Sequence, residues 1–156
     1  MNFYRFTLMV SFSFIILFNQ NAAADYLKHS HKSNIVTSAG PMKFSSDIIE
    51  DVTTVDSRKA KELFDREVIF IDTRKLSDWN AGRIPGAIHM DHTKEFTKEN
   101  LKKIVNYHDS FVIYCNGSKC LRSEKAAKNA VEWGYKKIYY YREGFPAWYI
   151  NNNPVE

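Results

Sequence analysis

From about residue 52, short runs of branched and aromatic residues alternate with longer segments whose apolar residues are spaced three and four apart. The first pattern is typical of buried strands and the second of amphipathic helices. The predicted strands are 68–72, 87–90, 111–115 and 137–141. The predicted helices are 57–66, 76–81, 97–105, 123–133 and a short terminal helix that follows the segment 144–148. This alternation predicts an α/β domain with a mostly parallel central sheet flanked by helices on both faces.

The first 24 residues have the pattern of a cleaved secretory signal peptide. A single basic residue, Arg5, precedes an uncharged run over 6–18, and the segment ends in Ala22-Ala23-Ala24. The run is shorter than the roughly 20 apolar residues that a membrane-spanning helix needs. We therefore expect a periplasmic or secreted protein with no stable membrane anchor after cleavage. An uncleaved amphipathic anchor is the alternative.

The remaining chain divides into a polar N-terminal arm or linker over 25–50 and one domain over 51–156. A content of 44% hydrophobic and 26% charged residues excludes disordered and low-complexity classes. Two cysteines are too few for a disulfide scaffold or a four-cysteine zinc site, and we predict neither a metal nor a cofactor. The net charge of +4 is spread among 18 acidic residues, which argues against nucleic-acid binding and favours small anionic ligands.

Two predicted strands end in residues suited to chemistry. Ligands of open α/β sheets bind beyond the carboxyl ends of the strands, where Asp72-Thr73-Arg74 and Cys115 lie. Cys115 opens a loop that runs directly into a helix, so backbone amides, a helix dipole and nearby cations favour its thiolate. The same amides would hold an anionic substrate. The alternative is a buried, inert cysteine at a strand end.

Four segments resemble the rhodanese-like domain family and occur in that family's order. Val68 to Arg74 and Trp79 to Ala87 resemble its Asp-x-Arg and Gly-His-Ile-Pro-Gly-Ala signature. The segment 111–123 resembles its active-site strand and loop, and 141–148 resembles its closing Gly-Phe/Tyr-x-x-Trp motif. Together they span about 54–150, nearly all of the expected domain.

The resemblance implies a rhodanese-type sulfurtransferase. In that family the loop cysteine, here Cys115, takes sulfur from thiosulfate or a persulfide-type donor and passes it to cyanide or a thiol. Arg122 and the loop would bind the anionic donor, the loop residues being Asn116, Gly117, Ser118, Lys119, Cys120, Leu121 and Ser123. We interpret Asp72 and Arg74 as a supporting, buried ion pair. An unidentified periplasmic protein is a further candidate partner.

The loop departs from the family pattern in two ways. A common form of the family places arginine five residues after the cysteine, whereas Arg122 follows Cys115 by seven. The second departure is Cys120, which is either a resolving thiol that forms a disulfide with Cys115 or an inert residue. Two alternative functions therefore stay open: a thiol–disulfide or oxyanion-reducing enzyme using both cysteines, and a catalytically inactive binding module.

Overall fold

The structure is a computed structural model and describes residues 44–156. The predicted signal peptide over 1–24 and residues 25–43 of the predicted arm lie outside the described residues. Among residues 44–156, no helix is both long enough and apolar enough to cross a lipid bilayer.

The centre of the domain is a five-stranded, fully parallel sheet in the order β1-β5-β4-β2-β3. The strands are β1 (Thr53–Val55), β2 (Ile69–Asp72), β3 (Ile88–His89), β4 (Phe111–Tyr114) and β5 (Ile138–Tyr141). Four of them match the predicted strands. Sequence reasoning missed β1, since it has three residues, two of them exposed, and gains its strand conformation by pairing along β5.

Five helices connect and cover the strands. They are α1 (Ser57–Asp65), α2 (Leu76–Asn80), α3 (Lys98–Lys102), α4 (Arg122–Glu132) and α5 (Gly144–Ile150). The predicted helix 97–105 ends early because the chain tightens after Lys102, where the amides of Lys103 and Ile104 bond to carbonyls three residues back.

The residues of β4 alternate between two hydrophobic cores. Phe111 and Ile113 pack with residues of α3 and α4 on one face, while Val112 and Tyr114 pack with residues of α1 and α5 on the other. All four side chains are buried, as expected for a central parallel strand. The prediction of a mostly parallel sheet with helices on both faces is thus confirmed.

The last residues of the predicted arm pack against the domain. Ser45 is 3% exposed and Ile49, at 5%, belongs to the core shared with α4. This segment reaches the loop that follows β4, described next.

Candidate active site

The loop after β4 carries the two cysteines of the chain. Cys115 follows β4 directly and is 1% exposed, whereas Cys120 is half-buried one residue before the N-cap of α4. The structure pairs them: their Cα atoms are 6.2 Å apart and their sulfur atoms are at bonding distance. The sequence had left open whether Cys120 lies near Cys115, and the fold brings the two together.

The carbonyl group of Cys115 is tied to the closing segment of the family-like motif. The Phe145 amide donates to the Cys115 oxygen at 2.9 Å. This contact requires glycine at position 144, where φ is +64° and a Cβ atom would collide with the Cys115 carbonyl group and lie 2.8 Å from the Gly117 nitrogen. The motif around Gly144 therefore holds the start of the loop.

Asn116 is anchored from two sides. Its Nδ2 donates to Asp78 Oδ2 at 2.9 Å, and Arg74 Nη1 donates to its Oδ1 at 3.5 Å. Asp78 comes from α2 and Arg74 from the residues after β2, so the first loop residue after Cys115 is fixed by the neighbouring strand connection. Asn116 therefore fixes the loop in place as well as lining the pocket described below.

Asp72 and Arg74 form a buried ion pair at the end of β2. Arg74 Nη2 lies 2.6 Å from Asp72 Oδ2, and the two side chains are 2% and 0% exposed. Arg74 also donates to the Gly82 carbonyl at 2.7 Å and lies over the Phe145 ring at 4.4 Å. The pair joins β2, the turn after α2 and α5, and neither residue lines the pocket.

Several loop amides are open. Within residues 44–156, the Cys120 amide donates to the Gly117 oxygen, but the amides of five other loop residues have no protein acceptor: Asn116, Gly117, Ser118, Lys119 and Leu121. Of the side chains that the structure describes, none caps the N-terminus of α4. Unpaired amides in the loop, together with the uncapped start of α4, favour an anion or a thiolate at this position.

An open pocket of about 510 Å³ adjoins the disulfide. Cys120 lines it together with Lys75, His92, Thr93, Asn116, Lys119, Leu121, Arg122 and Lys125. Cys115 does not. The sequence-predicted Ser123 also lies outside this lining, since it is 1% exposed within the first turn of α4.

Arg122 faces a carboxylate that sequence reasoning missed. Asp91 Oδ1 lies 4.0 Å from Arg122 Nε and is 3% exposed as a residue. Burial would raise the pKa of Asp91, but hydrogen bonds from the Thr93 amide and hydroxyl and the charge of Arg122 outweigh it and lower the pKa. Asp91 is therefore ionised and orients Arg122 at the pocket. Its position just after β3, at the same sheet edge as Cys115, was the signal that could have identified it.

His92 is a second missed residue of the pocket. Its ring stacks on Phe96 with centroids 6.2 Å apart, and its Nε2 is enclosed with no partner among the described residues. Burial, reinforced by the charges of Lys125 and Arg122, lowers the pKa of His92 although Asp91 opposes the shift. His92 is therefore neutral near pH 7.

The predicted arm contributes contacts that no sequence signal indicated. The Ser45 amide donates to the Ser118 carbonyl at 2.6 Å, and the Ser46 amide donates to Glu124 Oε2 at 2.8 Å. Arg142 completes this attachment by donating to the Ser45 oxygen. Residues 45–46 thus hold the far side of the loop.

Residues 44–156 contain no group of three or more His, Cys, Asp or Glu side chains placed to hold a metal ion.

The model of the rhodanese-like domain matches residues 56–151, more than half of the chain and all the elements from α1 to α5. The chain belongs to the rhodanese-like domain family. The resemblance inferred from four short segments is confirmed.

Curated relatives of this rhodanese-like chain include two proteins named tRNA uridine(34) hydroxylase. The protein from Buchnera aphidicola is 33% identical over 87 residues, covering 53% of this chain and 27% of the relative. The protein from Acinetobacter baumannii strain AYE is 26% identical over 154 residues, covering 90% of this chain and 48% of the relative. The chain thus spans about half, or less, of these relatives.

Among solved structures, the fold is similar to that of a thiosulfate sulfurtransferase from Pseudomonas aeruginosa. The TM-score is 0.57 at 17% identity, with 67% of this chain and 20% of that chain covered. At this identity the likeness concerns the fold. It agrees with the parallel sheet and helix arrangement described above.

Proposed function

We propose that this rhodanese-like protein is a sulfurtransferase whose reduced Cys115 carries the transferred sulfur. The observation that supports it most directly is the position of Cys115: the residue ends a central buried strand and begins a loop of open amides beside Arg122. That environment stabilises a thiolate over a thiol. The disulfide must first be reduced, because a disulfide-bonded sulfur is not a nucleophile.

The first step transfers the outer sulfur of a donor such as thiosulfate. The Cys115 thiolate attacks that sulfur, a new S–S bond forms, and the bond to the sulfonate group breaks. Cys115 becomes a persulfide and sulfite leaves with the electron pair. Arg122 and the open loop amides stabilise the charge of the departing sulfite. Arg122 is the seventh residue after Cys115 rather than the fifth, so the loop that would hold the donor is two residues longer than the common form of the family.

The second step uses Cys120 when no external acceptor takes the sulfur. The Cys120 thiolate attacks Sγ of the Cys115 persulfide, forms the disulfide that the structure contains, and releases hydrosulfide. Cyanide or an external thiol is the competing acceptor. The sum of both steps converts thiosulfate and two protein thiols into sulfite, hydrosulfide and a disulfide.

Intact mass measurement tests the proposal. The fully reduced protein is incubated with thiosulfate beside Cys115→Ser and Cys120→Ser variants. We expect Cys120→Ser to gain one sulfur atom stably, Cys115→Ser to gain none, and the unmodified protein to release hydrosulfide and return to the disulfide. Two results would contradict the proposal. One is sulfur gain on Cys115→Ser, and the other is no reaction of the two forms that keep Cys115, the unmodified protein and Cys120→Ser.

The alternative functions give different results in the same experiment. A thiol–disulfide or oxyanion-reducing enzyme would lose two hydrogens on oxidation, dependent on Cys120, without gaining sulfur from thiosulfate. A binding module would show neither change.

We also propose, from residues 1–24 alone, that the activity lies outside the cytoplasm. Sequencing the N-terminus of the protein from its native cell tests this. Retention of residues 1–24 would overturn it.

A further inference from the structure

The disulfide presents its two sulfur atoms unequally. Cys115 is 1% exposed beneath the loop and is absent from the pocket lining, whereas Cys120 is half-buried and lines the pocket. Thiol–disulfide exchange requires a thiolate to reach one of the two sulfur atoms directly. In this structure the more accessible of the two cysteines is Cys120.

The pocket in front of Cys120 carries a strong positive charge. Four cationic side chains line it, and no carboxylate does; these are Lys75, Lys119, Arg122 and Lys125. The neighbouring Asp91 is 3% exposed and lies behind Arg122. A lining of this kind attracts anionic ligands and raises their local concentration.

The size of the pocket points to an organic molecule. Its volume of about 510 Å³ falls within the roughly 300–1,000 Å³ typical of sites for drug-sized ligands. Thiosulfate, with five heavy atoms, fills a small part of that space. A thiol that also carries carboxylate groups satisfies both the size and the charge.

We propose that a carboxylate-bearing organic thiol reopens the site by attacking Cys120 Sγ in this cationic pocket. The inference rests on the proposed function, because it supplies the reduced Cys115 that sulfur transfer needs. The thiolate forms a mixed disulfide with Cys120, and the bond to Cys115 breaks with the electron pair left on Cys115 Sγ. A second thiolate then attacks the bound thiol's sulfur, yielding its disulfide and the Cys120 thiolate. Two thiols are oxidised and the protein disulfide is reduced.

The environment of the leaving sulfur favours this direction of attack. A disulfide breaks faster when the departing thiolate is the better stabilised one. Cys115 lies at the start of the loop whose amides at 116–119 and 121 have no acceptor among residues 44–156. The same groups that prepare Cys115 for sulfur transfer therefore stabilise it as the leaving group.

Trapping the mixed disulfide locates the attacked sulfur. The oxidised, full chain is mixed with reduced glutathione, quenched with acid after short times and mapped by peptide mass. We expect the glutathionyl group on Cys120. As a check that does not depend on trapping, glutathione disulfide should modify Cys115→Ser, which keeps Cys120, at least tenfold faster than Cys120→Ser. A glutathionyl group on Cys115, or equal modification of the two variants, overturns the proposal.

The need for carboxylate groups is tested with a thiol whose carboxylates are esterified. Glutathione diethyl ester keeps the thiol of glutathione but lacks its carboxylates. At low salt we expect glutathione to reduce the protein disulfide at least fivefold faster than the ester, and the difference to shrink as salt is added, because screening weakens the attraction. Equal rates for the two thiols would overturn the charge requirement.

A pair of lysine variants connects the rate to the pocket. Lys125→Gln removes a pocket cation, while Lys136→Gln removes an exposed cation outside the pocket. Lys125→Gln should slow reduction by glutathione severalfold and leave the ester unaffected, and Lys136→Gln should behave as the unmodified protein. Equal effects of both variants contradict the assignment. These assays contain no thiosulfate, so failure of the proposed function would appear separately, as absence of sulfur gain by the reduced protein.

Discussion

The amide of Phe145 donates a hydrogen bond to the carbonyl oxygen of Cys115 at 2.9 Å, joining the start of α5 to the start of the disulfide loop. The two residues are 30 positions apart in the sequence. They meet because β4 and β5 are parallel neighbours in the sheet, so the segments that follow the two strands start at the same edge. The contact makes the loop conformation depend on the closing motif of the domain.

Gly144→Ala is expected to disrupt this contact. A Cβ atom at position 144 would collide with the Cys115 carbonyl group, in addition to the penalty of a positive φ of +64°. The matched control is Gly86→Ala, where φ is +69° and no atom lies within 4 Å of the added Cβ. In urea unfolding we expect the control to lose about 1–2 kcal/mol and Gly144→Ala to lose about 1–3 kcal/mol more. Equal losses for the two variants would show that the contact between position 144 and the Cys115 carbonyl group adds nothing to the cost of the substitution.

Removing one partner of the buried ion pair should destabilise the domain strongly. Arg74→Met leaves the Asp72 carboxylate buried without its guanidinium partner, which costs about 3–5 kcal/mol in the free energy of unfolding. Lys61→Met breaks the exposed pair with Asp65 and should cost at most about 1 kcal/mol. Urea denaturation of both variants measures the difference. The double variant Asp72→Asn/Arg74→Met should lose less than Arg74→Met alone, and a larger loss would contradict the argument.

Arg122→Gln should weaken binding of the anionic donor. A charge-assisted hydrogen bond contributes about 1.5–3 kcal/mol, so we expect the KM for thiosulfate to rise about 10- to 150-fold. Arg122→Lys should recover part of the loss, because lysine keeps the charge without the planar guanidinium geometry. Steady-state kinetics of the reduced protein with cyanide as acceptor measures the change. An unchanged KM in Arg122→Gln, with thermal stability intact, would remove Arg122 from the donor site.

His92 should make the stability of the protein depend on pH below about 6.5, the ordinary pKa of histidine. Burial lowers the pKa of His92 in the folded protein, so the unfolded chain binds more protons in this range. The free energy of unfolding is therefore unaffected by protonation of His92 above about pH 6.5. It decreases as the pH falls from there towards the lowered pKa of His92 in the folded protein. Melting temperatures between pH 7.5 and 5.5 should fall less steeply for His92→Gln than for the unmodified protein.

The control for this pH effect is His108→Gln, since His108 is exposed and outside the pocket. Its melting temperature should follow that of the unmodified protein over the same range. The pKa values of Asp91 and Glu124 are lowered, so these carboxylates titrate below the range that is measured. Identical slopes for His92→Gln and the unmodified protein would show that His92 does not couple folding to protons here.

Among residues 44–156, four strands and the positions of four helices were predictable from the sequence, whereas the terminal helix begins earlier than expected, at Gly144. Most of these elements bury apolar residues of their own, so their pattern is local, as in the fully buried run of β4. The helix α2 has no buried residue and was predicted only as a short helical turn that stops at Gly82. The strand β1 was not predictable in this way, because two of its three residues are exposed and its conformation depends on pairing with β5.

The sequence by itself determined the fold class, the family motifs and the placement of Cys115 at the end of a buried strand, because these follow from short-range patterns. Only the tertiary structure decided that Cys120 reaches Cys115, that Asp91 and His92 join the pocket and that Ser45 holds Ser118. Such contacts join residues whose spacing carries no periodic signal. They exist because packing the helices against the two faces of the sheet brings separate loops to one edge.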